Sequence, residues 1–145
     1  MSSIWPVHVL LVLFVFGVGC GKIDPCGNEV LARQSSPAGA YQAIVFERDC
    51  GATTDFSTQV SILPSDVSFL ERPSFWSATE QGNALAIDAD HGAAPRGAGG
   101  GPDVTIHWES DQKIILAYHP RARVFLAAPS VGAVSVEHRK TAELE

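Results

Sequence analysis

Asp88-Ala89-Asp90-His91 places two carboxylates and an imidazole in consecutive or near-consecutive positions. If a strand ran on through Asp90, residues two apart would share a face, and Asp88 and Asp90 could hold one metal ion between them. His107 and His119 are further imidazoles that could complete such a site, and His91 or His119 could act as a base in a hydrolytic reading. The spacing does not support a metal centre. No H-x-x-x-H, H-E-x-x-H, EF-hand or paired C-x-x-C pattern occurs, and no G-x-S-x-G elbow. A polar strand end entering a loop accounts for the same residues without chemistry, and neither a catalytic residue nor a metal ligand is assigned.

Three other groups invite a chemical reading. Cys50 precedes Gly51-Ala52-Thr53-Thr54 and could be a nucleophile, but it follows Glu47-Arg48-Asp49, which gives no cationic field to favour a thiolate. Gly97-Ala98-Gly99-Gly100-Gly101 has the glycine content of a phosphate cradle. A phosphate loop needs a following Lys and a helix, whereas Pro102 and a strand-like run follow here. A mobile loop between strands is the simpler expectation, and no cofactor is implied. Arg121 and Arg123 could bind an anion, although pairing with a carboxylate such as Glu47 or Asp49 is the ordinary fate of such arginines. A binding patch, if the domain has one, is expected at Asp88, Asp90, His91, the loop to Pro102, His119, Arg121 and Arg123. The mixed charges of that patch suit a polar partner or an anion.

These residues must be positioned by β structure. Tyr41–Arg48 and Thr58–Leu63 are two strand-prone runs joined by a short loop with Gly51, which reads as an antiparallel hairpin. Ala43-Ile44-Val45-Phe46 is apolar on both faces, the mark of a strand covered on both sides. Residues 26–31 read as a short first strand and Arg33–Gly39 as a turn. Pro64–Gln81 is irregular, and its Phe69, Leu70, Phe75 and Trp76 are expected to fold back and pack. Asn83–Asp88 alternates, with Leu85 and Ile87 on one face. Val104, Ile106 and Trp108 alternate before a turn at Ser110–Gln112, and Ile114, Leu116 and Tyr118 after it, which predicts a second hairpin. Val134 and Val136 mark a last strand over Ala133–Glu137. The expected fold is all-β and mainly antiparallel, a single small sandwich or curled sheet of about six to seven strands.

The chain begins differently. Residues 9–19 read VLLVLFVFGVG and end at Cys20, the length of a signal-peptide apolar region and short for a bilayer span. Gly17-Val18-Gly19-Cys20 resembles a bacterial lipobox, in which the cysteine takes the lipid. Gly17 stands where Leu is usual, and no Lys or Arg precedes the apolar run. The organisation read from this is a signal peptide or membrane anchor over 1–19, a tether over 20–25, one β domain over 26–140 and a tail over 141–145. The expected location is the bacterial envelope, membrane-anchored or periplasmic or extracellular. Contact with the membrane would run through lipid on Cys20 or through an uncleaved apolar anchor. With Cys20 set aside, Cys26 and Cys50 remain as an even pair in an oxidising compartment, the alternative being two buried thiols. The net charge of −6 and the lack of any large Lys/Arg cluster exclude a nucleic-acid partner, which would require a basic face.

CGNEVL at 26–31, SPAGAYQAIVFERDCGATT at 36–54, FSTQVSILP at 56–64, DADHGAAP at 88–95, GGGP at 99–102 and YHPRARVF at 118–125 together resemble a family of small, uncharacterised bacterial exported proteins and lipoproteins. Asp49-Cys50-Gly51-Ala52-Thr53-Thr54 is the most specific phrase, and Ala38 stands where Asp is expected in the first turn. The resemblance covers about Cys26 to Val136 and implies export without implying an activity. The expected function is therefore an envelope-anchored domain with a non-catalytic binding or structural role, its partner an unknown envelope protein or a small polar ligand. The alternative is a metal-binding or hydrolytic protein using Asp88, Asp90, His91 and His119.

Overall fold

The computed structural model describes residues 25–52, 54–71 and 81–143. The signal segment, Cys20 and most of the tether lie outside the described residues, as do Phe75, Trp76 and the last two positions of the tail.

The domain is all-β, and of the two architectures expected it takes the sandwich. Strands β1 (Gly27–Ser35), β2 (Tyr41–Asp49), β3 (Ser57–Pro64), β4 (Leu85–Asp88) and β7 (Arg123–Ala127) form one sheet in the order β1-β2-β3-β4-β7. Strands β5 (Val104–Ser110), β6 (Lys113–Tyr118), β9 (Val134–Lys140) and β8 (Ser130–Val131) form the second in the order β5-β6-β9-β8. Every pairing is antiparallel except β6 with β9, which runs parallel. Both predicted hairpins form, β2–β3 and β5–β6.

Alternation along the strands makes the core. Ala43 and Val45 on β2, Val60 and Ile62 on β3 and Ile87 on β4 face Trp108 on β5, Ile114, Leu116 and Tyr118 on β6, and Val134 and Val136 on β9. A large side chain fully buried in this way contributes about 1.5–3 kcal/mol. The opposite face of β2 is covered as well. Ile44 and Phe46 pack with Leu63 and with Phe69 of the connection after β3, and the Phe46 and Phe69 rings lie 4.7 Å apart. The doubly apolar run of β2 is thus explained. Of the neighbouring apolar residues of that connection, Leu70 stays exposed.

Three features depart from the expectations. β1 runs to Ser35, so Arg33–Ser35 are strand rather than turn. Leu31 is an extra residue in the register between Val30 and Ala32, a bulge at the predicted end of the strand beyond which pairing with β2 continues. β9 extends to Lys140, three residues past the predicted end, because β6 continues beside it. β8 is two residues long and offers no pattern to read. Cys26 and Cys50 form a disulfide that joins the start of β1 to the end of β2.

Candidate functional site

The topology gathers the predicted patch at one end of the first sheet. β1 starts there, β2 ends, β3 starts, β4 ends and β7 starts, as the pairings Gly27 with Asp49, Ser57 with Asp88 and Asp88 with Arg123 require. The Cys26–Cys50 disulfide and the segment Ala89–Asp103 lie at the same end.

Asp88 is the most buried of the charged residues in the patch. It closes β4, is 3% exposed and faces Arg123 across the strand pair. Arg123 Nε donates to Asp88 Oδ1 at 3.1 Å, and Nη2 donates to Oδ2. The Asp90 N–H also donates to Asp88 Oδ1, at 2.9 Å. The Asp90 carboxylate lies 3.8 Å from Arg123 Nη1, a longer and weaker contact. The guanidinium sits 5.0 Å over the Phe125 ring. Arg123 therefore pairs with Asp88, not with Glu47 or Asp49. A cation already fills the space in which Asp88 and Asp90 would have shared a metal ion. The strand also stops at Asp88. Asp90 and His91 have φ of 46° and 57°, in a 3-10 turn over Asp90–Gly92, so the alternation that would have aligned the two carboxylates ends first.

The histidines do not converge on these carboxylates. His119 Nδ1 accepts the Arg121 N–H at 3.2 Å, which ties the ring to its own turn before β7. His91 is exposed, and the carboxylate whose ionisation it favours is Asp55. No group of three or more His, Cys, Asp or Glu side chains arranged to hold a metal occurs among the described residues.

The glycine-rich loop is close-packed against the domain, which corrects the expectation of a mobile connection. The Gly97 N–H donates to the Gly101 carbonyl at 2.7 Å, and Arg96 Nη1 donates to the Gly100 carbonyl at 2.9 Å. Arg96 also forms an ion pair with Asp55 at 2.8 Å, and this guanidinium is the main reason the Asp55 carboxyl is held below its ordinary range. Glu47 Oε2 accepts the Gly101 N–H at 3.1 Å, and Thr58 Oγ1 donates to the Pro102 carbonyl at 2.6 Å. A Cβ on Gly101 would stand 2.4 Å from Thr58 Oγ1, and one on Gly100 2.9 Å from the Phe56 ring. The glycines permit close approach of the domain's own side chains.

Glu47, Asp55 and Arg96 were not among the candidates read from sequence. Glu47 stood out in the sequence only as a carboxylate able to pair with Arg121 or Arg123. Glu47 is 5% exposed and directly opposite Glu29 on β1. Burial pushes its carboxyl above the ordinary range, and the Gly101 N–H opposes that shift. A shallow hollow of about 450 Å³ opens beside it, lined by Glu29, Glu47, Asp49 and Glu71 with Phe56. Its four carboxylates make it unsuited to the anion that the arginines suggested.

β7 completes this end. All five of its residues are exposed, including Val124 at 36%, Phe125 at 61% and Leu126 at 36%. Phe125 is an extra residue between the partners of Ala86 and Ile87.

Comparison with protein-family models, with curated proteins and with solved structures finds no match to this chain.

Proposed function

We propose that the chain is an envelope-anchored lipoprotein whose β-sandwich has a non-catalytic role, binding a partner or serving a structural part. The observation that carries this reading is the Cys26–Cys50 disulfide. Such bridges persist in oxidising, exported compartments. The apolar run before Cys20 and the resemblance to small bacterial exported proteins and lipoproteins point the same way. The non-catalytic half of the reading is supported by Asp88, Asp90 and Arg123, which are occupied with one another, and by His119, which braces its own turn.

Site-directed photo-crosslinking of the full-length protein in its native envelope, read by mass spectrometry, tests the binding role. A reproducible adduct from the β7 end of the domain, absent when the probe sits on β9, supports the reading. Adducts of equal yield from both positions contradict a specific binding role.

A further inference from the structure

β1 is an edge strand of 9 residues that buries one side chain, Asn28, whereas β2 beside it buries six of 9. The Leu31 bulge divides β1 into two halves that are held differently. Ala32–Ser35 pair with Gln42–Val45 and are gripped from outside the ladder as well. Trp108 Nε1 donates to the Gln34 carbonyl at 3.3 Å, and the Arg33 guanidinium pairs with Glu71 at 3.0 Å and lies 5.7 Å over the Phe69 ring.

Gly27–Val30 pair with Phe46–Asp49, and their apolar contribution is the partly buried Val30. Asn28 donates its N–H to the Glu71 carbonyl at 2.9 Å and accepts from Arg48 Nη1 at 3.1 Å, polar bonds that water replaces once a strand lifts. Glu29 stands directly opposite Glu47, so two carboxyl groups face each other across this half of the ladder. What closes it is covalent. Cys26 precedes Gly27, Cys50 follows Asp49, and their bridge spans the open end of the pair. Cys26 is buried, whereas Cys50 is half-buried between the exposed Asp49 and Gly51, so Cys50 is the member that a thiolate reaches.

We propose that the Cys26–Cys50 bridge is a redox latch on the first half of β1. With the bridge reduced, Gly27–Val30 leave the sheet as far as the bulge, while Ala32–Ser35 and the rest of the sandwich stay folded. The thiolate of a dithiol reductant attacks the Cys50 sulfur, forms a mixed disulfide and expels Cys26 as a thiolate, which takes up a proton. The reductant's second thiol then displaces Cys50. Two electrons have passed to the protein, which holds two thiols, and the reductant leaves with its own disulfide. Release adds residues 26–30, up to about 17 Å of extended chain, to the span between Cys20 and the first fixed residue. The redox state then sets how far the domain reaches from the membrane. That consequence rests on the anchoring proposed above, and the latch itself does not.

The test uses the full-length protein in detergent micelles and reads backbone order parameters by NMR. Three forms are compared: the oxidised wild type, the wild type in dithiothreitol, and Cys26→Ser/Cys50→Ser. Gly27–Val30 are expected to fall from about 0.85 in the oxidised form to below about 0.6 in both others, with Ala32–Ser35 and β6 unchanged. Four outcomes overturn the proposal. Gly27–Val30 stay ordered without the bridge, order is lost through β2 and β6 as well, the double variant fails to fold, or dithiothreitol opens the bridge only when the whole domain unfolds. The lipid on Cys20 is read separately by mass. Lipid present with Gly27–Val30 still ordered removes the latch alone, and a released strand on a chain without lipid removes the anchoring alone.

Discussion

Asp88 and Arg123 face each other across β4 and β7 and are joined by two hydrogen bonds to the two carboxylate oxygens. The pair is asymmetric. The Asp88 side chain is 5% exposed and that of Arg123 41%. Removing the arginine strands a buried carboxylate, whereas removing the charge of the aspartate leaves a cation that water can solvate.

That asymmetry gives the first prediction. Arg123→Ala lowers Tm, and adding Asp88→Asn to it recovers part of the loss. Asp88→Asn alone costs less than Arg123→Ala. Thermal melts of the three variants by circular dichroism decide it, and equal losses from the two single substitutions contradict the assignment.

The glycine loop supplies the second. Gly101→Ala forces a methyl to within 2.4 Å of the buried Thr58 hydroxyl, an overpacking worth about 1–3 kcal/mol. Gly27→Ala meets nothing within 4 Å and leaves stability unchanged. Chemical denaturation of both variants measures the difference. If Gly101→Ala is as stable as Gly27→Ala, the loop does not pack as described.

Much of the fold was legible because two faces alternate. Leu85 and Ile87, Val104 and Trp108, and Val134 and Val136 announced their sides of the core, and all are buried or packed against it. What escaped was whatever breaks a period. The extra Leu31 hid the second half of β1, and the extra Phe125 obscured β7. The parallel β6–β9 pairing is a long-range choice that no local pattern encodes. At the site, the residue types were visible but their partners were not. Asp88 meets Arg123 across 35 positions and Asp55 meets Arg96 across 41, distances over which spacing carries no information. Gly99, Gly100 and Gly101 read as slack because the side chains that crowd them, Glu47, Phe56 and Thr58, come from β2, the residue before β3 and β3 itself.

Glu47 sets a pH dependence. Its folded-state carboxyl is raised above the ordinary value, so the folded protein holds a proton that the unfolded chain releases. Its contribution to stability is fully present below the ordinary carboxyl range and is lost as pH rises through the raised value. Glu47→Gln keeps an acceptor for the Gly101 N–H and abolishes that loss. Its Tm should match wild type in acid and exceed it at neutral pH. A wild-type advantage at neutral pH would show that the ionised form is the favoured one.

The disulfide closes a separation of 24 residues, for which the chain-entropy model gives about 3.5 kcal/mol. Cys50→Ser should lower Tm accordingly. Reduction should lower Tm of the wild type and add nothing in the variant. Two reactive thiols in the non-reduced protein would show that the bridge is not formed.

We propose that the domain is held at the envelope through Cys20. Metabolic labelling with an alkyne fatty acid, followed by click detection on the purified chain, measures this directly. Label on the wild type, with none on Cys20→Ala and that variant retained as the longer precursor, is the predicted result. Equal label on the two proteins, or none on either with both processed, would contradict it.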